Sequence, residues 1–399
     1  MTKSIGLRII NGKVITPNGI VTGADVFVRD GKIVGTGSLG GPVGSNRVID
    51  AGGCYVSPGF IDIHVHGGGG YDFMDGHAAA FLGIAETHVR YGTTAMLPTT
   101  LTGSKEELLH ILDVYEQVLP RNVRGAQFLG LHLEGPYFAM NQRGAQDPRF
   151  IRNPDPAEYR EILRRAHLVR RWSAAPELPG ALEFARYARE KGVLVSLAHT
   201  DAIYEEVLEG WKNGYSLATH LYSGMTGVSR RNAYRYAGAV EAAFLIGDMD
   251  VEIIADGIHL PAPLLQLVYQ IKGPARTALI TDAMRAAGMP EGESVLGNIR
   301  NGMKVIVEDG VAKLPDRSAF AGSVATADRL VRTMVKTAGV PMVEAIQMIT
   351  TTPAVILGLA GTKGAILPGY DADLVLFDDE ISVRATIVKG ELVYENIDL

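Results

Sequence analysis

Residues 58–67, PGFIDIHVHG, place Asp62, His64 and His66 at every second position of an otherwise apolar run. On a β-strand that alternation turns all three side chains to one face. Two imidazoles two residues apart at a strand end, followed by the glycines at 67–70, can reach one metal ion together. A pair of hydrogen-bonded core histidines would show the same spacing, although three aligned polar groups in a buried strand would each need a partner. Similar residues recur downstream: His132 and Glu134 in GLHLE, His199 in LAHTD, His220 in ATHLY and Asp282 in ITDAM. Imidazoles and carboxylates suit Zn²⁺ or a similar divalent ion without any thiolate. Glu134, with two oxygens, could bridge two ions.

The remaining assignments follow from position. Asp282 is expected to be the general acid–base, because a carboxylate beside a metal-bound water can take its proton and later deliver it to a leaving group. A helix N-cap would also account for an Asp there, since a helix could begin near Ala283. His132 lies one step deeper than Glu134 on the same strand face. With Asp62, it is expected to support the ligands from behind, and a satisfied core histidine accounts for it equally well.

These residues fall at the ends of predicted strands. The middle of the chain alternates strands (FIDIHVH, TTAMLP, AQFLGLHLE, LVRRWSAAP, VLVSLAH, SLATHL, VEIIAD, TALITDA) with helical stretches such as KEELLHILDVYEQVL, ALEFARYAREKG and YEEVLEGWKNG. Each of those helices is expected to close near a glycine cap. Eight parallel strands with intervening helices fit an α/β chain forming a (β/α)8 TIM-type barrel, whose functional groups sit at the C-terminal strand ends. A doubly wound open sheet is the alternative, but no Gly-rich nucleotide turn is present. The seven ligand-type residues occupy the ends of strands one, three, five, six and eight. Ten randomly placed histidines would scatter, as His77, His88, His110 and His167 do.

The first fifty-odd residues read as short strands joined by hairpin turns at Asn11-Gly12 and Asp30-Gly31. The last strands, DADLVLFD, VRATIVKG and ELVYE, read similarly. Neither end is large enough to enclose a core alone. The expectation is therefore one small β-sandwich domain built from residues 1–57 and 363–399 around a barrel at 58–362. A hairpin, MKVIVEDGVAKL, and two helices, ATADRLVRTMVKTAG and MVEAIQMITTTPAVILGL, follow the eighth strand.

Composition narrows the function. The chain has 399 residues, 47% hydrophobic and 21% charged, and a formal charge of −6. That balance gives no basic surface for nucleic acid. The single cysteine, Cys54, excludes a disulfide within the chain and any cysteine-rich zinc module. No leader pattern or membrane-spanning apolar run is evident, so the cytoplasm is the expected location and no membrane partner is expected.

The motifs PGFIDIHVHGGGG, GLHLEGPY with Arg143-Gly144-Ala145, AHTDA, ATHLY, ADGIHL, LITDAM, FAGS and PGYDADLVLFD resemble the amidohydrolase superfamily over nearly the whole length. Within it the chain is similar to the family of N-acetylglucosamine-6-phosphate deacetylases. The resemblance implies a principal metal site of Glu134, His199 and His220, with Glu134 in place of the carbamylated lysine of many relatives. His64 and His66 would add a second ion, giving one or two ions of Zn, with Fe, Mn or Co as alternatives. It implies hydrolysis of an N-acetyl amino sugar 6-phosphate in a homodimer, with substrate contacts from Ala145, Gln146, Ser223, Gly224, His259, Phe320, Ala321 and Gly322. Phosphate recognition falls to the loop 223–232, where Arg231 matches the family's phosphate arginine and a partner subunit could complete the site. An exposed Arg230-Arg231 pair could equally be solvated surface.

Two positions depart from the family pattern: Gln146 replaces a usual histidine, and Ser223-Gly224 replaces Asn-Ala. Both lie where the sugar should bind, so an epimeric or different N-acyl substrate is a further expectation. The rival functions are an N-acetylgalactosamine-6-phosphate deacetylase, an N-acyl-D-amino-acid deacylase, a cyclic-amide hydrolase and a non-catalytic scaffold. The full ligand set argues against the last.

Overall fold

The computed structural model describes residues 6–37 and 47–396, apart from the side chain of Arg231. Eight parallel strands form the centre: β1 (Phe60–Val65), β2 (Thr93–Thr100), β3 (Leu131–Glu134), β4 (Val169–Ala174), β5 (Leu194–Leu197), β6 (Tyr215–Ala218), β7 (Asp250–Ile253) and β8 (Thr277–Leu279). They hydrogen-bond in sequence order. A parallel bridge between Val65 and Ala283 closes the ring just past the last strand. This is a (β/α)8 barrel beside a small sheet domain.

The period of two in β1 decides which side chains face inward. Ile61 and Ile63 pack outward in a cluster with Ala354 and Leu357, whereas Asp62, His64 and His66 are buried among polar groups of the barrel interior. Barrels usually fill that interior with branched apolar residues. Here His132, Arg171, Ser173, Ser196, Thr219 and Glu252, all 0% exposed, share a hydrogen-bonded network. Both guanidinium NH groups of Arg171 reach the Glu252 carboxylate.

Connecting helices start and stop where local chemistry dictates. Lys105–Val118 begins with Ser104 and Glu107 in a reciprocal capping box. Ala181–Glu190 and Tyr204–Lys212 end just before Gly192 and Gly214, both at positive φ. Lys105–Val118 departs from the expected glycine closure and runs into a 3₁₀ turn, Leu119–Arg121.

Both chain ends contribute to one eight-stranded sheet, in which Tyr55–Pro58 lies between Gly6–Thr16 and Leu374–Phe377. It folds over a shared core that includes Leu7, Val26, Val28, Leu374 and Ile387. The edge strand Lys32–Thr36 meets the segment leading into Leu374–Phe377, where the Ile33 amide donates to the Tyr370 carbonyl at 2.9 Å. Lys363, bonded to Asp373 at 2.6 Å, Asp371 at 2.8 Å and Gln127 at 3.1 Å, joins this sheet to the barrel.

Asn11-Gly12 is not a hairpin turn. Gly6–Thr16 is one continuous strand that bulges there, and the reversal comes at residues 17–18. A type I′ turn needs positive φ at both central residues, and only Asn11 has it, at 58°. The Asp30-Gly31 hairpin forms as expected. The hairpin of Met303–Glu308 and Val311–Lys313 gains an unanticipated third strand, Gly292–Leu296.

Candidate functional site

Barrel closure brings the strand-end residues together. His199, His220 and Asp282 follow β5, β6 and β8 with φ of 46°, 29° and 47°, a left-handed conformation uncommon for residues other than glycine. These left-handed residues turn the chain out of each strand beside the barrel mouth. Such strain persists only where surrounding structure holds it, and it clusters at functional sites.

Glu134 lies at the centre and is 2% exposed. Its Oε1 is 3.1 Å from His220 Nε2 and 3.4 Å from both His199 Nε2 and His64 Nε2. Its Oε2 is 3.4 Å from His66 Nε2. Asp282 Oδ1 stands 3.1 Å from His66 Nε2 and 3.4 Å from His64 Nε2. Two potential metal-binding triads result, Glu134–His199–His220 and His64–His66–Glu134, each with donor atoms within 4.8 Å of one another.

The donor chemistry fits a cation. His199 Nδ1 donates to the Gln142 carbonyl at 2.8 Å and His220 Nδ1 to the Ser223 carbonyl at 3.2 Å. A carbonyl only accepts, so in the neutral ring the proton sits on Nδ1 and the Nε2 lone pair is aimed at Glu134. Lone pairs converging on a carboxylate require positive charge between them. Burial pulls the His66 imidazole down, but Asp282 and Glu134 outweigh it and hold it well above its ordinary value. Burial likewise opposes ionisation of Glu134, yet His64, His199 and His220 keep it well below the usual carboxylate range. A divalent ion would satisfy the same demand with one charge centre.

Supporting contacts come from several directions. Asp62 accepts from the Thr281 hydroxyl at 2.5 Å and the His64 amide at 3.2 Å. Burial raises its carboxyl to about 7 against those bonds. The His132 ring meets Thr99 Oγ1 at 3.3 Å and Ser173 Oγ at 2.6 Å, and packs edge-on against His64. It is a hydrogen-bonded interior histidine beneath the site. Burial and nearby Arg171 hold it well below its ordinary value, hence neutral. No helix begins at Asp282 among the described residues, so helix capping does not explain that carboxylate.

Gln146 is 5% exposed and donates from Nε2 to Glu134 Oε2 at 2.6 Å. Its Oε1 accepts from the Thr102 amide at 2.9 Å and from the Thr102 hydroxyl. A backbone N–H can only donate, which fixes the orientation of the Gln146 amide.

A cavity of about 240 Å³ opens over these groups. Ala145, Gln146, Ser223, Gly224, His259, Phe320 and Gly322 line it, together with His66, Glu134, His199, His220 and Asp282. His64 lies beneath, fully buried, and Ala321 is buried behind the wall. Arg231 ends a short strand, Ser229–Arg231, and its side chain lies outside the described residues. His259 Nδ1 is bonded to Asp256 Oδ2 at 2.8 Å, and its ring packs on Phe320.

Asp256, Thr102, Leu101, Leu296 and the Arg171–Glu252 pair were not anticipated from sequence. Asp256 alone carried a local signal, three residues before His259 in ADGIHL.

The barrel and its convergent His–carboxylate cluster define a metal-dependent hydrolase: the chain belongs to the amidohydrolase family, whose profile matches residues 55–393. It is 32% identical over 393 residues to the N-acetylglucosamine-6-phosphate deacetylase of Lysinibacillus sphaericus, covering 97% of this chain and 98% of that one. It is 35% identical over 338 residues to the N-acetylgalactosamine-6-phosphate deacetylase of Escherichia coli, covering 84% and 87%. The crystal structure of N-acetylglucosamine-6-phosphate deacetylase from Pasteurella multocida matches with a TM-score of 0.91 at 28% identity, covering 98% of this chain and 100% of that one.

Proposed function

We propose that this hydrolase removes the acetyl group of N-acetylglucosamine 6-phosphate, giving acetate and the amino sugar phosphate. The observation that carries the reading is Glu134 shared by two His-containing triads, with Asp282 3.1 Å from His66. Relatives of this length and similarity, named for that reaction, support it.

Glu134, His199 and His220 would hold the principal ion, most simply Zn²⁺, with Fe, Mn or Co able to use the same donors. His64 and His66 would hold a second ion, sharing Glu134. When bound, the ion acidifies water and polarises the amide carbonyl. Asp282 takes the proton of the attacking water. As the C–N bond breaks, it returns that proton to the departing amine, so acetate and the free amine leave together. Asp256 fixes His259 for contact with the sugar.

Among its described residues the cavity lining includes His259 but no lysine or arginine. We therefore assign the phosphate to the loop 223–232, with Arg231 of this chain or a second copy in a homodimer. The domain division at residues 57 and 362, the homodimer and a cytoplasmic location belong to the same proposal. No helix among the described residues is long and apolar enough to cross a membrane.

Ser223-Gly224, on the side of the mouth that follows β6, leaves the galactosamine epimer as a second reading, supported by the 35% identical relative. Acetate release from both N-acetyl hexosamine 6-phosphates tests the assignment. Faster turnover of the glucosamine form is expected. Preference for the galactosamine form selects the second reading, and no release from either refutes both.

A further inference from the structure

A scissile amide carries two limbs, here the sugar phosphate on nitrogen and the acyl group on carbon. In a closed ring of eight strands, the end of β2 faces the end of β6 across the axis, and β3 faces β7. Ser223 and Gly224 follow β6 and His259 follows β7, so the polar limb is assigned to that side of the mouth. Leu101 follows β2, and Ala145 and Gln146 follow β3, on the opposite side.

Behind that opposite wall lies a second cavity of about 320 Å³. Leu101, Ala145, Gln146 and Leu296 line both cavities. Beyond them the second is bounded by Met74, Phe150 and Met303. Several of its polar side chains are committed elsewhere. Arg149 is paired with Asp147, Glu107 accepts from the Ser104 amide at 2.8 Å, and Asn298 donates to the Met74 carbonyl at 2.9 Å. Met74, Met303, Leu101, Leu296 and Phe150 supply its apolar surface, beside Asn301 and the Arg149–Asp147 pair, both of whose members line the cavity.

We propose that this second cavity is an acyl subsite, and that the enzyme accepts straight-chain N-acyl groups of four to six carbons as well as acetyl. The inference rests on the deacylase reading above and extends its substrate class. The bond cleaved and the proton path are unchanged; only the carboxylate released differs.

The test is carboxylate release by the intact enzyme from N-acetyl, N-butanoyl and N-hexanoyl glucosamine 6-phosphate. A pocket closed behind the acetyl methyl would lose at least about tenfold in kcat/KM for each added methylene. An open apolar subsite instead gains up to about fourfold per methylene buried. The expected result is butanoyl kcat/KM within about tenfold of acetyl, with Met303→Trp lowering the hexanoyl-to-acetyl ratio by about tenfold or more. Met74→Trp serves as a second filling variant if the first fails to fold. Normal acetyl turnover with a butanoyl value more than about 100-fold lower overturns the subsite. So does a hexanoyl-to-acetyl ratio that neither variant moves. Absence of turnover for every acyl group, acetyl included, refutes the deacylase reading and the subsite with it.

Discussion

Asp282→Asn isolates the proton-transfer role. Asp282 has φ 47°, which asparagine accepts more readily than most residues, so the backbone turn is retained. The side chain is nearly isosteric and 8% exposed. Glu134, His199 and His220 are untouched. What disappears is the anionic oxygen 3.1 Å from His66 Nε2 and 3.4 Å from His64 Nε2. A positioned general acid–base contributes about 10²–10⁴ in rate, or about 2.7–5.4 kcal/mol of barrier. Initial rates of acetate release should fall by at least about 100-fold, with metal content, measured on the same sample by elemental analysis, unchanged. Turnover within about fivefold of wild type would refute the reasoning, because a lost proton carrier costs more than that. Parallel loss of metal and activity would refute it in another way, by making Asp282 a ligand.

Gln146→Leu removes the donor on Glu134 Oε2 while keeping the side chain's approximate size. Metal affinity, measured by chelator competition, should fall about 10–100-fold, as for other groups that orient a ligand; an unchanged affinity would return Gln146 to a purely substrate-facing role. Arg285→Met breaks a buried ion pair with Asp75, which Arg285 meets at 2.7 Å, and should cost about 3–5 kcal/mol near neutral pH in urea unfolding. Burial raises the Asp75 carboxyl, but Arg285 outweighs it and holds it below its ordinary 3.8. Its folded-state value is thus depressed, so this stabilisation is present above about 3.8 and fades as pH falls through the folded value. The gap between variant and wild type should narrow in acid, and a gap independent of pH would exclude the ion pair as its cause.

Much of the barrel was legible because buried parallel strands leave a periodic signature. The alternation at 62, 64 and 66 fixed which face of β1 turns inward, and the His and carboxylate residues marked strand ends. Misreadings came where local chemistry is ambiguous or partners lie far apart. Asn11-Gly12 carries a hairpin signature, but its pairing along one long strand leaves it as a bulge. Residues 292–296 have little strand character of their own and are ordered by pairing with 303–307. Arg171 and Glu252 are 81 residues apart, and nothing near either announces the other. The contact of Gln146 with Glu134 spans only 12 residues. It was missed because the residue was compared with a substrate-binding histidine, and its amide orientation depends on Thr102 from a different strand end.

The closure of the barrel and the geometry of the candidate metal centre rest on the same bonds. The Asp282 amide donates to the His64 carbonyl at 2.9 Å, and the His66 amide donates to the Ala283 carbonyl at 2.9 Å. Each joins a proposed ligand or its proton carrier across the seam between β1 and the chain leaving β8. Left-handed backbone at His199, His220 and Asp282 costs of order 1–3 kcal/mol per residue, and it persists because contacts pin each turn. The Gln142 carbonyl holds His199, the Ser223 carbonyl holds His220, and Asp62 holds Thr281 immediately before Asp282. The strain is therefore maintained by the barrel's own hydrogen bonds. A substitution that loosens the seam should consequently disturb metal affinity before it unfolds the protein, since the ligands lose their register while the outer helices remain packed.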